Sequence, residues 1–185
     1  MIDDALELAQ DAMKGAQERL AKELSRIRTG RANPALLDDI RVDSYGSKVP
    51  LNQVSTVTVG DARLLVIKPW DRNLVSEVER AINNASLGLN SSSDGVIVRV
   101  PIPPLTEERR KQLVKQAKEA GEDARIAIRQ ARRDANDVLK SAQKDSDLSE
   151  DELKDGLARV QSVTDDHIKQ VDETIKKKEV EILGD

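Results

Sequence analysis

The chain has 185 residues and a formal net charge of -4, with 35% charged and 38% hydrophobic residues. With no cysteine, disulfides, thiolate metal sites and cysteine nucleophiles are excluded, and the single histidine gives no basis for expecting a zinc site or a histidine triad. No apolar run approaches the roughly 20 residues that cross a bilayer, and the acidic start MIDDALELAQ is unlike a secretory leader, so a soluble cytoplasmic protein is expected.

Residues 2–28 have helical periodicity. Ile2, Leu6, Ala9, Met13, Ala16 and Leu20 alternate at spacings of four and three, and Leu24 and Ile27 continue the stripe. The segment TGRANP then stops the helix, with Gly30 as a natural end and Pro34 opposing continuation. Next come short Val- and Ile-rich runs: IRVDSY, QVSTVTV, RLLVIKP and GVIVRV, separated by Gly, Pro, Asn and Ser. Between the third and fourth, LVSEVERAINNA is amphipathic, with Leu74, Val78, Ala81, Ile82 and Ala85 on one face.

PIPPL cannot be helical, and after it Thr106 is a plausible N-cap for a helix over 106–140, with Glu107 and Glu108 in its first turn. A third helix begins at Ser149, where Ser149 and Glu152 form a capping-box signature. Its stripe is Leu153, Leu157, Val160, Ile168, Val171 and Ile175, and His167 beside it reads as a packed structural residue rather than a ligand.

The expected class is therefore α+β. A three-helix bundle is built from residues 1–29 and 106–185, and a small β/α/β domain over 31–104 is inserted into it. Two connectors join them, near 29–33 and 100–105. One holds Gly30 and Arg31; the other holds Pro101, Pro103 and Pro104. Glycine permits bending and proline restricts it, so the connectors read as a hinge or as fixed joints.

The stretch RIAIRQARRDAND, 125–137, places four arginines within nine residues. On a wheel with Arg125 at zero, Arg129 falls near 40°, Arg132 near 340° and Arg133 near 80°. Lys111, Lys115, Lys118 and Lys140 share that arc. Leu113, Ala117, Ala124, Ile128, Ala131, Ala135, Val138 and Leu139 take the apolar sector, and Ile126 lies off it. Residues 106–140 carry ten basic and seven acidic side chains, net +3, while 145–185 carry six and thirteen, net -7. The ridge is either a solvated face or a surface for a polyanion. With no aromatic on this helix, an RNA partner would be held by arginine forks on phosphates rather than by base stacking. Phosphate-binding glycine loops are absent, the acidic pairs Asp38/Asp39 and Asp165/Asp166 read as solvated, and neither a catalytic site nor a metal site is expected.

RIRTGRANP (26–34), VDSYG (42–46), VIKPWDRN (66–73), VRVPIPPLTEERRKQLVKQAK (98–118) and IRQARRDAND (128–137) together resemble the bacterial ribosome recycling factor family. The likeness spans essentially the whole chain. It implies an L-shaped molecule of tRNA-like outline that splits the post-termination ribosome together with elongation factor G. It implies no cofactor of its own, the GTP being used by elongation factor G, and a functional link to the third initiation factor. It further implies a monomer whose bundle lies on the large ribosomal subunit. Arg129, Arg132 and Arg133 would hold rRNA, with Arg125, Lys118 and Arg28 in the same set. Arg28, Gly30 and Arg31 would sit at the bundle–hinge junction. The serine-rich GLNSSSDG, 88–95, departs from the family pattern and is expected to be a surface turn. The competing readings are a coiled-coil adaptor whose ridge meets an acidic protein, and an enzyme, which the residue inventory disfavours.

Overall fold

The computed structural model describes residues 1–184. The chain divides into two compact units. One is Met1–Ile27 together with the chain from Lys111 onward; the other is Arg28–Arg110.

The first unit is helical: α1 (Ile2–Ser25), α3 (Glu107–Lys144, whose first turn falls in the second unit) and α4 (Glu150–Leu183). No helix among the described residues is long and apolar enough to cross a membrane. The α1 stripe is buried from Ala5 to Leu24. The helix ends three residues earlier than the periodicity suggests, because Arg26 and Ile27 bond back to Glu23 and Leu24 in a tightened last turn. Ile27 is nevertheless buried.

Thr106 Oγ1 accepts from the Arg109 N–H at 3.2 Å, and so starts α3. This helix outruns the sequence expectation of residue 140 by four residues. Ala142 is buried, and its carbonyl accepts from Asp147 and Leu148 across a turn with Ser146 at φ 65°. The reciprocal capping box at Ser149 and Glu152 is formed and starts α4. In α4, Val160, Val171 and Ile175 are buried as expected, whereas Leu153, Leu157 and Ile168 are half-buried.

At two glycines a side chain of a neighbouring helix leaves no room for a methyl group. A Cβ at Gly121 would lie 2.7 Å from Ile175, and one at Gly156 would lie 3.0 Å from Leu139. Gly121→Val is therefore expected to cost about 1–3 kcal/mol through overpacking, against a smaller gain in helix propensity, as read by urea denaturation.

His167 is half-buried, and its Nδ1 faces the Gln17 amide oxygen, which asks for the neutral Nδ1–H tautomer or the cation. Burial lowers its pKa from 6.5, with Asp166 opposing. The unfolded chain thus protonates first as pH falls, and stability is lost from about pH 7 downward through 6.5. His167→Gln is expected to reduce the fall in stability as pH drops below about 7 in denaturation curves.

The second unit holds a hairpin, β1 (Arg41–Ser44) with β2 (Ser47–Pro50), and a four-stranded antiparallel sheet. The sheet order is β3 (Ser55–Asp61), β4 (Leu64–Pro69), β6 (Val98–Pro101), β5 (Ser92–Ser93). Alternation in β4 and β6 sends Leu65, Ile67, Val98 and Val100 inward, and all four are fully buried. Helix α2 (Val75–Asn84) supplies Val75, Val78 and Ile82 to the same core, to which Ile40, Val42 and Ile102 also belong. Leu74 is buried at its start, and Ala81 and Ala85 pack at its margin.

Two expectations need correction here. GLNSSSDG is more than a surface turn: Leu89 is buried, Ser92–Ser93 form β5, and the serines tie it to α2. Ser91 Oγ donates to Asn83 Oδ1 at 2.9 Å and Ser93 Oγ to Glu79 Oε2 at 2.8 Å. Pro101 is part of the sheet, paired opposite Leu64, and not part of a free connector. Ala32 N–H and Ile102 N–H likewise donate to Ala62 and Arg63 carbonyls at the β3–β4 turn, at 2.7 and 2.8 Å.

Candidate RNA-binding ridge

Helix α3 presents the basic ridge because its apolar positions turn the opposite way. Leu113, Ala117, Ala124, Ile128, Ala131, Ala135 and Leu139 are buried. Val138, expected among them, is 51% exposed. It rims a shallow groove between α1 and α3, floored by Ala5, Ala9, Ala131 and Ala135, that is too wide for alanines to close. Ile126 is also exposed, in line with its place off the core face.

The ridge cations divide into those engaged within the fold and those facing out. Arg125 is engaged. Its guanidinium donates to Asp172 Oδ1 on α4 from Nε at 2.8 Å and from Nη2 at 2.6 Å, and to Glu122 at 3.0 Å. Its side chain is only 24% exposed. The Asp172 bond, opposed by burial and helped by Glu122, raises its pKa still further and keeps it charged. Lys118 reaches Glu179 at 3.6 Å, and Arg129 shares Glu122 at 3.4 Å.

Arg132 makes a neutral contact, Nη1 to Gln161 Oε1 at 3.3 Å, which orients the guanidinium without neutralising it. Arg133 is exposed, and no ion pair is formed at it among the described residues. Arg133 is exposed and Arg132 half-buried, and neither charge is neutralised by an ion pair among the described residues, while Arg125 stitches α3 to α4. Surface pairs such as Lys118–Glu179 and Arg129–Glu122 are weak, on the order of 0–1 kcal/mol, and exchange readily for a phosphate. The partners Asp172 and Gln161 were not legible in the sequence, because they depend on the register of α4 against α3.

The connector residues lie in the other unit. Gly30 has φ 74°, a left-handed backbone that favours glycine, and its missing Cβ would stand 3.3 Å from Leu105 Cγ. Arg28, Gly30, Arg31, Pro103, Pro104 and Leu105 are among the residues lining a small cleft of about 80 Å³ there. Arg28 is half-buried, whereas Arg31, Pro103 and Pro104 are exposed. No grouping of acidic or histidine side chains suited to a metal occurs among the described residues.

The sequence of residues 20–183 matches the model of the family described as ribosome recycling factor. The chain belongs to the ribosome recycling factor family. It is 49% identical over 183 residues to the ribosome-recycling factor of Halalkalibacterium halodurans, covering 99% of each chain. It is 50% identical over 184 residues to that of Carboxydothermus hydrogenoformans, covering all of both. Among solved structures, it matches a solution structure of a ribosome recycling factor with a TM-score of 0.79 and 38% identity, covering 100% of this chain and 98% of that one. It also matches, with a TM-score of 0.68 and 46% identity over the whole of both chains, the T. thermophilus ribosome recycling factor. That factor was described with E. coli elongation factor G bound to the E. coli post-termination complex. The ribosome recycling factor match takes in the ridge, the insert and both connectors.

Proposed function

We propose that this chain is a translation factor, not an enzyme, that splits the post-termination ribosome into subunits together with elongation factor G and GTP. The bundle anchors on large-subunit rRNA through the ridge. The insert then moves about the connectors while elongation factor G hydrolyses the GTP, and the third initiation factor holds the freed small subunit. The factor acts as a cytoplasmic monomer.

The observation that carries this reading is that half-buried Arg132 and exposed Arg133 keep unneutralised charges among the described residues, on a helix whose neighbour α4 is acidic. Guanidinium forks suit phosphates, and the exposed ridge meets a folded RNA by its backbone. Family membership supports a ribosomal RNA as the partner in this reading. Left-handed Gly30 and the exposed prolines Pro103 and Pro104 suit a joint outside both cores. The test is co-sedimentation with purified large subunits over a salt series. Binding that weakens steeply with salt is expected, because each neutralised phosphate releases counterions. An adaptor whose ridge meets an acidic protein would not sediment with the subunits.

A further inference from the structure

Arg125 and Arg132 stand seven residues apart on one face of α3, yet α4 answers them differently. Opposite Arg125 it offers the carboxylate of Asp172, bonded at 2.8 and 2.6 Å. Opposite Arg132 it offers the side-chain amide of Gln161, whose Oε1 accepts from Nη1 at 3.3 Å. Gln161, Asp165, Ile168 and Asp172 follow at spacings of four, three and four, along one stripe of α4. Of its three polar members only Gln161 is uncharged, on a segment, 145–185, of net charge -7.

The amide has a second partner. Gln161 Nε2 donates to Asp165 Oδ1 at 2.8 Å, one turn further along α4. Together the two contacts dictate which end of the amide faces which group. A guanidinium only donates and an ionised carboxylate only accepts, so Oε1 faces Arg132 and Nε2 faces Asp165. The three side chains form a chain, Asp165–Gln161–Arg132, with the neutral amide between the carboxylate and the cation. No ion pair is formed at Arg132 among the described residues.

This arrangement matters for binding an anion. An arginine paired to a carboxylate must give up that pair to take a phosphate. An arginine held by a neutral acceptor keeps its full charge and its remaining N–H donors for the phosphate. Holding it in place beforehand also lowers the entropy lost when it binds.

We propose that Gln161 is a positioning residue for phosphate binding by the ridge: its amide aims the Arg132 guanidinium and keeps the Asp165 carboxylate off it. The inference rests on the function proposed above, in which Arg132 meets an RNA phosphate.

The test uses the full chain, with Gln161→Glu and Gln161→Met made alone and combined with Arg132→Ala. Gln161 is exposed on a helix, and Glu and Met are good helix formers of similar length, so both variants fold. Affinity for purified large subunits is read by co-sedimentation over a salt series, and folding by urea denaturation. Gln161→Glu gives Arg132 a carboxylate, so binding about tenfold weaker is expected, with a salt slope lower by about one. Gln161→Met removes the acceptor, and a loss of about threefold is expected from the unaimed side chain. In the Arg132→Ala background neither substitution should change affinity by more than about twofold, since nothing is left to position. Parent-like affinity in either single variant overturns the proposal. An equal loss with and without Arg132 overturns it too, and reduces the effect to repulsion of the RNA or to a general structural change. Arg132→Ala binding as tightly as the parent chain overturns the ridge reading itself, and this inference with it.

Discussion

Arg132→Ala combined with Arg133→Ala is expected to weaken binding to large ribosomal subunits by about a hundredfold or more. Each charge-assisted contact contributes about 1.5–3 kcal/mol, and 1.4 kcal/mol is a factor of ten. The slope of log affinity against log salt should fall by about two, one for each lost phosphate contact. Folding should change little, because the bond of half-buried Arg132 among the described residues is to the neutral Gln161, and Arg133 is exposed. Arg125→Ala is the matching control. It breaks the bonds to Asp172 and Glu122, so it should lower stability while moving subunit affinity less. Co-sedimentation and urea denaturation on the same preparations separate the two effects. Equal losses of affinity in both would dissolve the division between stitching and outward-facing arginines.

The second large effect concerns the two cores. Ile128 in the bundle and Ile67 in the insert are both fully buried, and they belong to separate compact units. Ile128→Ala and Ile67→Ala should each cost about 2–5 kcal/mol, from lost transfer energy and the cavity left behind. Trp70 lies in the insert and the long helices in the other unit, so two probes report on two bodies. Tryptophan emission should follow the insert, and far-ultraviolet circular dichroism mainly the helices. Ile67→Ala is expected to shift the emission transition and leave the helical one in place, with the reverse for Ile128→Ala. One coincident transition, shifted alike by both, would show a single cooperative unit instead.

The long helices were legible because their signals are local. A stripe at 3.6-residue spacing and a capping box at Ser149 need nothing from the rest of the chain. The short strands were harder. β2 reads SKVP and β5 only two serines, neither with an alternating apolar pattern, and each exists because a neighbour pairs with it. The ridge was visible on the wheel, but its division was not. Asp172 lies 47 residues from Arg125, and no spacing rule connects them. Val138 shows the same limit from the other side. Its wheel position is apolar, yet whether it is buried depended on α1, which offers alanines there. Pro101 looked like part of a connector because proline restricts how a chain can bend, whereas it is the last residue of β6, opposite Leu64.

The central claim is that the ridge anchors and the insert does the work with elongation factor G. Stopped-flow light scattering of post-termination ribosomes tests it most directly. The parent chain should lower the scattering signal only when elongation factor G and GTP are both present. The Arg132→Ala, Arg133→Ala chain should need a much higher concentration of itself for the same effect, yet reach a similar maximal rate. A parent chain that splits ribosomes alone, or a ridge variant whose maximal rate collapses even at saturation, would contradict the account.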